Sequence, residues 1–221
     1  MVADGLTLVR ARIAAATARA GRDPDSVRLI AVSKGKTADE IMAAYQAGQR
    51  DFGENRAQEM AAKVPELPGD IRWHFVGPVQ RRKVKVIRPL TTLLHSLDRL
   101  ALAAAWSAGE PSPPATLLEV NIGAEPQKHG VRPADVDETL TAMAALGIVP
   151  SGLMVIPPAP NIAADSRPWF AQLRELRDSL LPAHPGLVEL SMGMTDDFEV
   201  AIEEGATLVR VGRAIFGPRP A

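Results

Sequence analysis

Two lysines stand just past an apolar run near the start of the chain. Val27-Arg28-Leu29-Ile30-Ala31-Val32 is followed by Ser33, Lys34, Gly35 and Lys36. The run has the length and composition of a buried strand. A lysine directly past such a strand points its amine into whatever the strand ends enclose. Desolvation there lowers the pKa of an ammonium, and the neutral amine can attack an aldehyde to form a Schiff base. On position alone a second reading of Lys34 stays open, in which the side chain snorkels to solvent. Lys36 faces the same choice. For it the solvated loop charge is the stronger reading, because it lies just before the helix cap at Thr37.

A second group of residues sits near the end of the chain. Ser191-Met192-Gly193-Met194-Thr195 leads into an expected helix, and Val211-Gly212-Arg213-Ala214-Ile215-Phe216-Gly217 offers another helix start. Backbone N–H groups at a helix start, with hydroxyls nearby, bind phosphate. Either glycine segment alone could serve only a tight turn. Both follow strand candidates, so together they point to one phosphate site. Other residues carry less. The basic stretch Gln80-Arg81-Arg82-Lys83-Val84-Lys85 could touch phosphate or RNA, but a solvated helix face is the stronger reading. His74, His95, His129 and His184 lack metal-ligand spacing, which argues against zinc. Glu119, within a strand, could pair with a barrel lysine or arginine and receives no catalytic role. Met42, Met143 and Met154 read as core packing.

These residues need elements to position them. From Leu6 to Ala20 the chain reads as an amphipathic helix rich in Ala and Arg. Strand candidates follow at Val27–Val32, Asp51–Phe52, Arg72–Val76, Thr91–His95, Ala115–Asn121, Leu153–Ile156, Leu187–Leu190 and Thr207–Val211. Helical segments separate them: from Thr37, which forms a capping box with Glu40, to Gly48; to about Lys63; Val79–Ile87; Asp98–Ser107; Pro133–Leu146; Pro168–Leu181; and Thr195–Glu204. The strands are short, apolar and not alternating, the pattern of strands buried on both faces. Alternation of this kind predicts an α/β fold, a single (β/α)8 TIM-like barrel with an extra N-terminal helix, spanning 1–221 as one domain. An open doubly wound sheet is the alternative. In a barrel the loops at the C-terminal strand ends build the site, where Lys34, Asn55, His74, His95, Ser191 and Arg210 are expected.

Composition bounds the rest. The 221 residues are 46% hydrophobic and 23% charged, with a net charge of -1. That composition is ordinary for a globular domain and argues against nucleic-acid binding by overall charge. With no cysteine, a disulfide framework, a thiolate zinc site and a cysteine nucleophile are excluded. The N-terminus lacks the apolar block of a signal peptide, and no apolar run is long enough to cross a bilayer. A cytoplasmic location with no membrane partner is expected.

The ordered blocks AVSKGKTADEI, QAGQRDFGENRAQE, WHFVGPVQRRK, HSLD, LLEVNIGAEPQKHG, GLMVI and LSMGMTDDFEVAIEEGATLVRVGRAIFG strongly resemble the pyridoxal phosphate homeostasis proteins. The resemblance runs from about Leu29 to Gly217. These proteins are similar to the barrel domain of the fold-type III alanine racemases without its C-terminal β-domain. The resemblance implies pyridoxal 5′-phosphate (PLP) as cofactor, held as a Schiff base on Lys34. It implies that Ser191 and the backbone at Gly212 and Arg213 hold the phosphate, that Arg210 faces the pyridine nitrogen, and that Asn55 lies by the cofactor. His74 is placed near the mouth only by its block. Val79, Arg82 and Thr195 depart from the family's usual Leu, Asn and Ser.

An arginine at the pyridine nitrogen keeps it unprotonated and weakens the ring as an electron sink. The chain's one tyrosine, Tyr45, lies in the first barrel helix, expected far from the mouth. A second base is therefore not evident. A non-catalytic monomeric carrier of PLP follows, with PLP-dependent apo-enzymes as recipients. Two other classes stay open: an enzyme, either a residual racemase or a Schiff-base aldolase on Lys34, and a binding module centred on Arg81 to Lys85.

Overall fold

The computed structural model describes residues 1–158 and 162–218. Eight parallel strands close on one another in sequence order, β8 pairing with β1. They are β1 (Arg28–Val32), β2 (Asp51–Glu54), β3 (Arg72–Phe75), β4 (Leu93–Leu97), β5 (Ala115–Glu119), β6 (Gly152–Met154), β7 (Glu189–Ser191) and β8 (Leu208–Val211). The helices are α1 (Val2–Arg19), α2 (Ala38–Gln46), α3 (Ala57–Lys63), α4 (Val84–Ile87), α5 (Leu100–Ser107), α6 (Val136–Ala145), α7 (Arg167–Leu180), α8 (Phe198–Glu203) and α9 (Arg213–Phe216). The expected barrel is the observed one, with α1 as the extra helix. Thr37 caps α2 in the expected box, its hydroxyl accepting from the Glu40 N–H at 3.2 Å while Glu40 accepts from the Thr37 N–H at 2.8 Å.

The strands do alternate, contrary to the sequence reading. One face of each is apolar and packs on the helices: Leu29 and Ala31, Phe52, Trp73 and Phe75, Leu94, Leu118, Leu153, Leu190, Val209 and Val211 all join the outer core. The inward face holds a small separate cluster of Ile30, Leu93, Leu117, Met154 and Leu208. Six further buried strand positions of that parity are polar: Asp51, His74, His95, Glu119, Ser191 and Arg210. The pattern is hard to see in sequence because the inward set mixes both classes.

Boundaries shift by a few residues, with consequences. β4 begins at Leu93 rather than Thr91, so His95 is mid-strand. α8 begins at Phe198, after a turn over Thr195–Asp197, so Thr195 does not start a helix. The segment expected as one helix from Val79 is a 3-10 turn over Arg81–Lys83 running into the single turn of α4. Tyr45 lies in the last turn of α2, and its hydroxyl donates to Asp70, just before β3, at 2.7 Å. That is the barrel end opposite the C-terminal strand ends, as expected.

α1 lies against α8, α9 and α2, covering the seam that the one-turn α9 is too short to cover. Leu6, Val9, Ile13 and Ala16 form its buried stripe. Arg12 forks onto Glu199 at 3.1 and 2.8 Å and stacks over the Phe198 ring. Gly5 permits the approach to α9: a Cβ there would sit 2.7 Å from the Ile215 carbonyl oxygen and 2.8 Å from that of Ala214. Two effects oppose each other in Gly5→Ala. Helix propensity gains about 1 kcal/mol, while overpacking against backbone costs about 1–3 kcal/mol. We expect the clash to win, with a net loss of about 1 kcal/mol in urea unfolding. A stabilised variant would show that α1 is not held this tightly.

Candidate functional site

The turn after β1 is fixed from below. Ser33 is fully buried, and its hydroxyl donates to Glu54 Oε1 at 2.7 Å. Lys63, from the last turn of α3, donates to the same oxygen at 2.8 Å, to the Ser33 carbonyl at 2.9 Å and to Glu59 at 2.6 Å. Glu59 in turn accepts from the Gly35 N–H. Burial raises the Glu54 carboxyl pKa, and the Lys63 ammonium pulls it back. Gly35 has φ +71°, which turns the chain between the two lysines. The residues doing this anchoring, Glu54, Glu59 and Lys63, were not singled out in the sequence. Glu54, in the GEN block beside Asn55, was the only visible hint.

The two lysines go to different places. Lys34 is half-buried and lines a cavity of about 520 Å³. Lys36 also borders that cavity, but its amine is 2.9 Å from the Phe216 carbonyl, 3.2 Å from that of Pro218 and 3.2 Å from Glu40. An ammonium bonded to carbonyls at the end of α9 is structural. It is not the solvated loop charge expected, since only 8% of Lys36 is exposed.

Asn55, Gly77, Thr195, Arg210, Gly212 and Arg213 line the same cavity. It is rich in cations: Lys34, Lys36, Arg210 and Arg213 stand against Asp196, which Arg213 pairs. The first N–H groups of α9 have no partner within the helix, and no side chain caps it. Asn55 is wedged against the loop after β3. A Cβ on Gly77 would lie 2.5 Å from the Asn55 carbonyl oxygen. The Asn55 side-chain oxygen is buried without a partner, an acceptor for a ligand's donor.

Of the expected site residues, Lys34, Asn55, Arg210, Gly212 and Arg213 converge on this cavity. Ser191 does not. Its fully buried hydroxyl accepts from Arg210 Nη1 at 2.6 Å and lies 2.8 Å from His95 Nδ1, inside the barrel. The hydroxyl that does border the cavity is that of Thr195. His74 and His95 likewise lie within the barrel body rather than at its mouth. Both are inward strand positions, and one residue of strand parity separates a mouth-facing loop from the interior.

Arg210 is only 5% exposed. It donates from Nη1 to the Ser191 carbonyl at 2.8 Å and from Nη2 to the Val155 carbonyl at 2.8 Å. Burial pushes its pKa down to about 10, with Glu119 and Asp197 opposing, so it remains a cation at neutral pH. Glu119, on β5, is pushed up to about 7 by burial and by Asp98, while Arg210 pulls it down. A carboxyl whose folded pKa is raised contributes stability below its unfolded pKa and loses it as pH rises through the folded value. Glu119→Gln should therefore gain stability relative to the parent chain between pH 5 and 8.5, on the order of 3 kcal/mol at most. Urea unfolding at both values measures it, and an equal difference at the two would place Glu119 in a solvated environment.

The profile of the family described as alanine racemase, N-terminal domain, matches residues 6–220. The pyridoxal phosphate homeostasis protein of Pseudomonas aeruginosa is 44% identical over 99% of this chain and 96% of its own length. PipY of Synechococcus elongatus PCC7942, solved without PLP, superposes with a TM-score of 0.87 at 39% identity, covering 98% of this chain and all of PipY. The form with PLP bound gives 0.81 at 36% identity over the same shares. The barrel, the ordered blocks and these similarities agree: the chain belongs to the alanine racemase N-terminal domain family and, within it, to the pyridoxal phosphate homeostasis proteins.

Proposed function

We propose that this chain binds pyridoxal 5′-phosphate as a Schiff base on Lys34 and acts in PLP homeostasis as a monomeric carrier without turnover of its own. The observation that carries the reading is the division between the lysines: Lys34 lines the cation-rich cavity, while the Lys36 amine is bonded to two carbonyls and Glu40. PipY, 36% identical, has been solved with PLP bound. The residues fit such a ligand. The orphaned Asn55 oxygen seeks a donor, and the cavity's cations outnumber its acid, as a phosphate dianion requires.

In this reading Lys34 supplies the amine. The N–H groups at Gly212 and Arg213 and the Thr195 hydroxyl hold the phosphate, in place of Ser191, which instead holds Arg210. Asn55 orients the ring edge, and Arg210 faces the ring nitrogen. When bound, the cofactor supplies an aldehyde carbon and an electron-withdrawing ring. Arg210, a permanent donor, cannot give that nitrogen an acceptor and so keeps the ring a poor electron sink. Lys34 is one base at the mouth. The Tyr45 hydroxyl is bonded to Asp70 at the opposite end of the barrel, and His74 and His95 are buried beneath the cavity. Proton exchange on both faces of a substrate needs two placed bases. With one, PLP-dependent apo-enzymes become the destination of the cofactor rather than competitors in chemistry.

Two measurements test this. Borohydride reduction of the PLP-loaded protein should place the adduct on Lys34 by peptide mass mapping, and Lys34→Ala should abolish it. An adduct chiefly on Lys36 would overturn the assignment, and a chain that never acquires the visible absorbance of PLP would favour the aldolase reading. In heavy water, deuterium exchange at Cα of alanine should stay far below the usual enzymatic range of roughly 1–10³ per second. Exchange at such rates, lost in Lys34→Ala, would make the protein an enzyme.

A further inference from the structure

A line of buried polar side chains runs through the barrel, from beneath the cavity to the opposite end. Arg210 Nη1 donates to Ser191 Oγ at 2.6 Å. Ser191 Oγ lies 2.8 Å from His95 Nδ1, His95 Nε2 lies 2.9 Å from His74 Nδ1, and His74 Nε2 lies 3.0 Å from Asp51 Oδ1. At the far end Arg72 grips both Asp51 oxygens, one at 2.8 Å. None of the five linked residues is more than 5% exposed. They come from β8, β7, β4, β3 and β2, so only the closed barrel brings them into line.

The two ends dictate the order of donors. A guanidinium only donates and a carboxylate only accepts. Ser191 accepts from Arg210, so its own proton goes to His95 Nδ1. His95 is then protonated at Nε2 and donates to His74 Nδ1. His74 carries its proton on Nε2 and donates to Asp51. Every group is satisfied, with both rings neutral. Burial holds both imidazole pKa values below the ordinary range, and the Arg210 cation adds to it at His95. The reverse order fails: a proton on His95 Nδ1 would leave the Ser191 hydroxyl proton without this acceptor. The remaining bonds of Arg210, to the Ser191 and Val155 carbonyls, bring its engaged N–H groups to three of five. The other two are what it can offer a ligand.

We propose that Asp51, His74, His95 and Ser191 form a polarised positioning relay that fixes the Arg210 guanidinium beneath the cavity and thereby tunes the cofactor ring, an inference resting on the reading of Arg210 as the partner of the ring nitrogen. The relay moves no net charge. It holds the Ser191 lone pair turned toward Arg210 because its proton is already committed to His95.

The ligand-free parent chain gives a test that needs no variant. Nitrogen-15 NMR at pH 7 should show His74 and His95 as neutral rings, both protonated at Nε2. An imidazolium, or a proton on Nδ1 of either ring, overturns the relay. In the PLP-loaded protein, Ser191→Ala and the distant Asp51→Asn should each shift the absorbance maximum of the bound cofactor. Ser191→Ala should also raise the apparent Kd for PLP about 10-fold, the scale of one hydrogen bond to a charged group. Unchanged spectra in both, with Arg210→Lys shifting its own, would remove the relay and leave the Arg210 reading intact. An unchanged spectrum in Arg210→Lys would overturn both, while borohydride trapping on Lys34 reports separately on the amine.

Discussion

Closure of β8 onto β1 is the constraint from which the rest follows. With no free edge, each strand residue faces either the surrounding helices or the interior of the barrel. Outward positions are served by the apolar core. Inward positions cannot reach solvent, so any polar group among them must find a partner inside or carry the cost of desolvation. Interiors of such barrels are ordinarily filled by branched apolar residues in layers. Here only Ile30, Leu93, Leu117, Met154 and Leu208 do that. Among the polar inward positions, Asp51, His74, His95, Ser191 and Arg210 are hydrogen-bonded to one another. A buried guanidinium at Arg210 is tolerable because a serine hydroxyl and two carbonyls receive it.

The turn that carries Lys34 is built on a similar economy of partners. Glu54, Lys63 and Ser33 form a buried cluster under the turn that carries Lys34. Removing the lysine from such a cluster would leave a carboxylate stranded, so the turn is held by a group the protein cannot easily lose. Lys36 joins that same turn to the end of α9. The amine of Lys34 and the open N–H groups of α9 thus lie on two segments tied to each other. One ligand touching both meets a preformed arrangement, which lowers the ordering cost of binding.

The chemistry the cavity offers is lopsided. Cations gather at it, the Lys34 side chain among them, while Tyr45 lies at the opposite end of the barrel and His74 and His95 are sealed inside it.

Much of this was legible in the sequence. Alternating apolar runs and helices gave an eight-unit barrel, because local patterning decides which elements form. Lys34, Asn55, Arg210, Gly212 and Arg213 were legible as neighbours at the strand ends, and all line one cavity, since they follow or end strands and belong to recognisable blocks. The sequence did not separate Ser191 from Thr195, or place His74 and His95 inside. Facing direction in a strand flips with every residue, and a boundary error of two residues hides where a strand ends. Nor could it find the partners of Lys63 or Lys36. Lys63 bonds Ser33 across 30 residues and Lys36 bonds Phe216 across 180. Sequence alone thus determined the fold class through periodicity, and it pointed to Lys34 through position. Only the tertiary structure decided that Lys36 is tied to the end of α9 and which polar residues met, because those contacts exist only once the barrel closes.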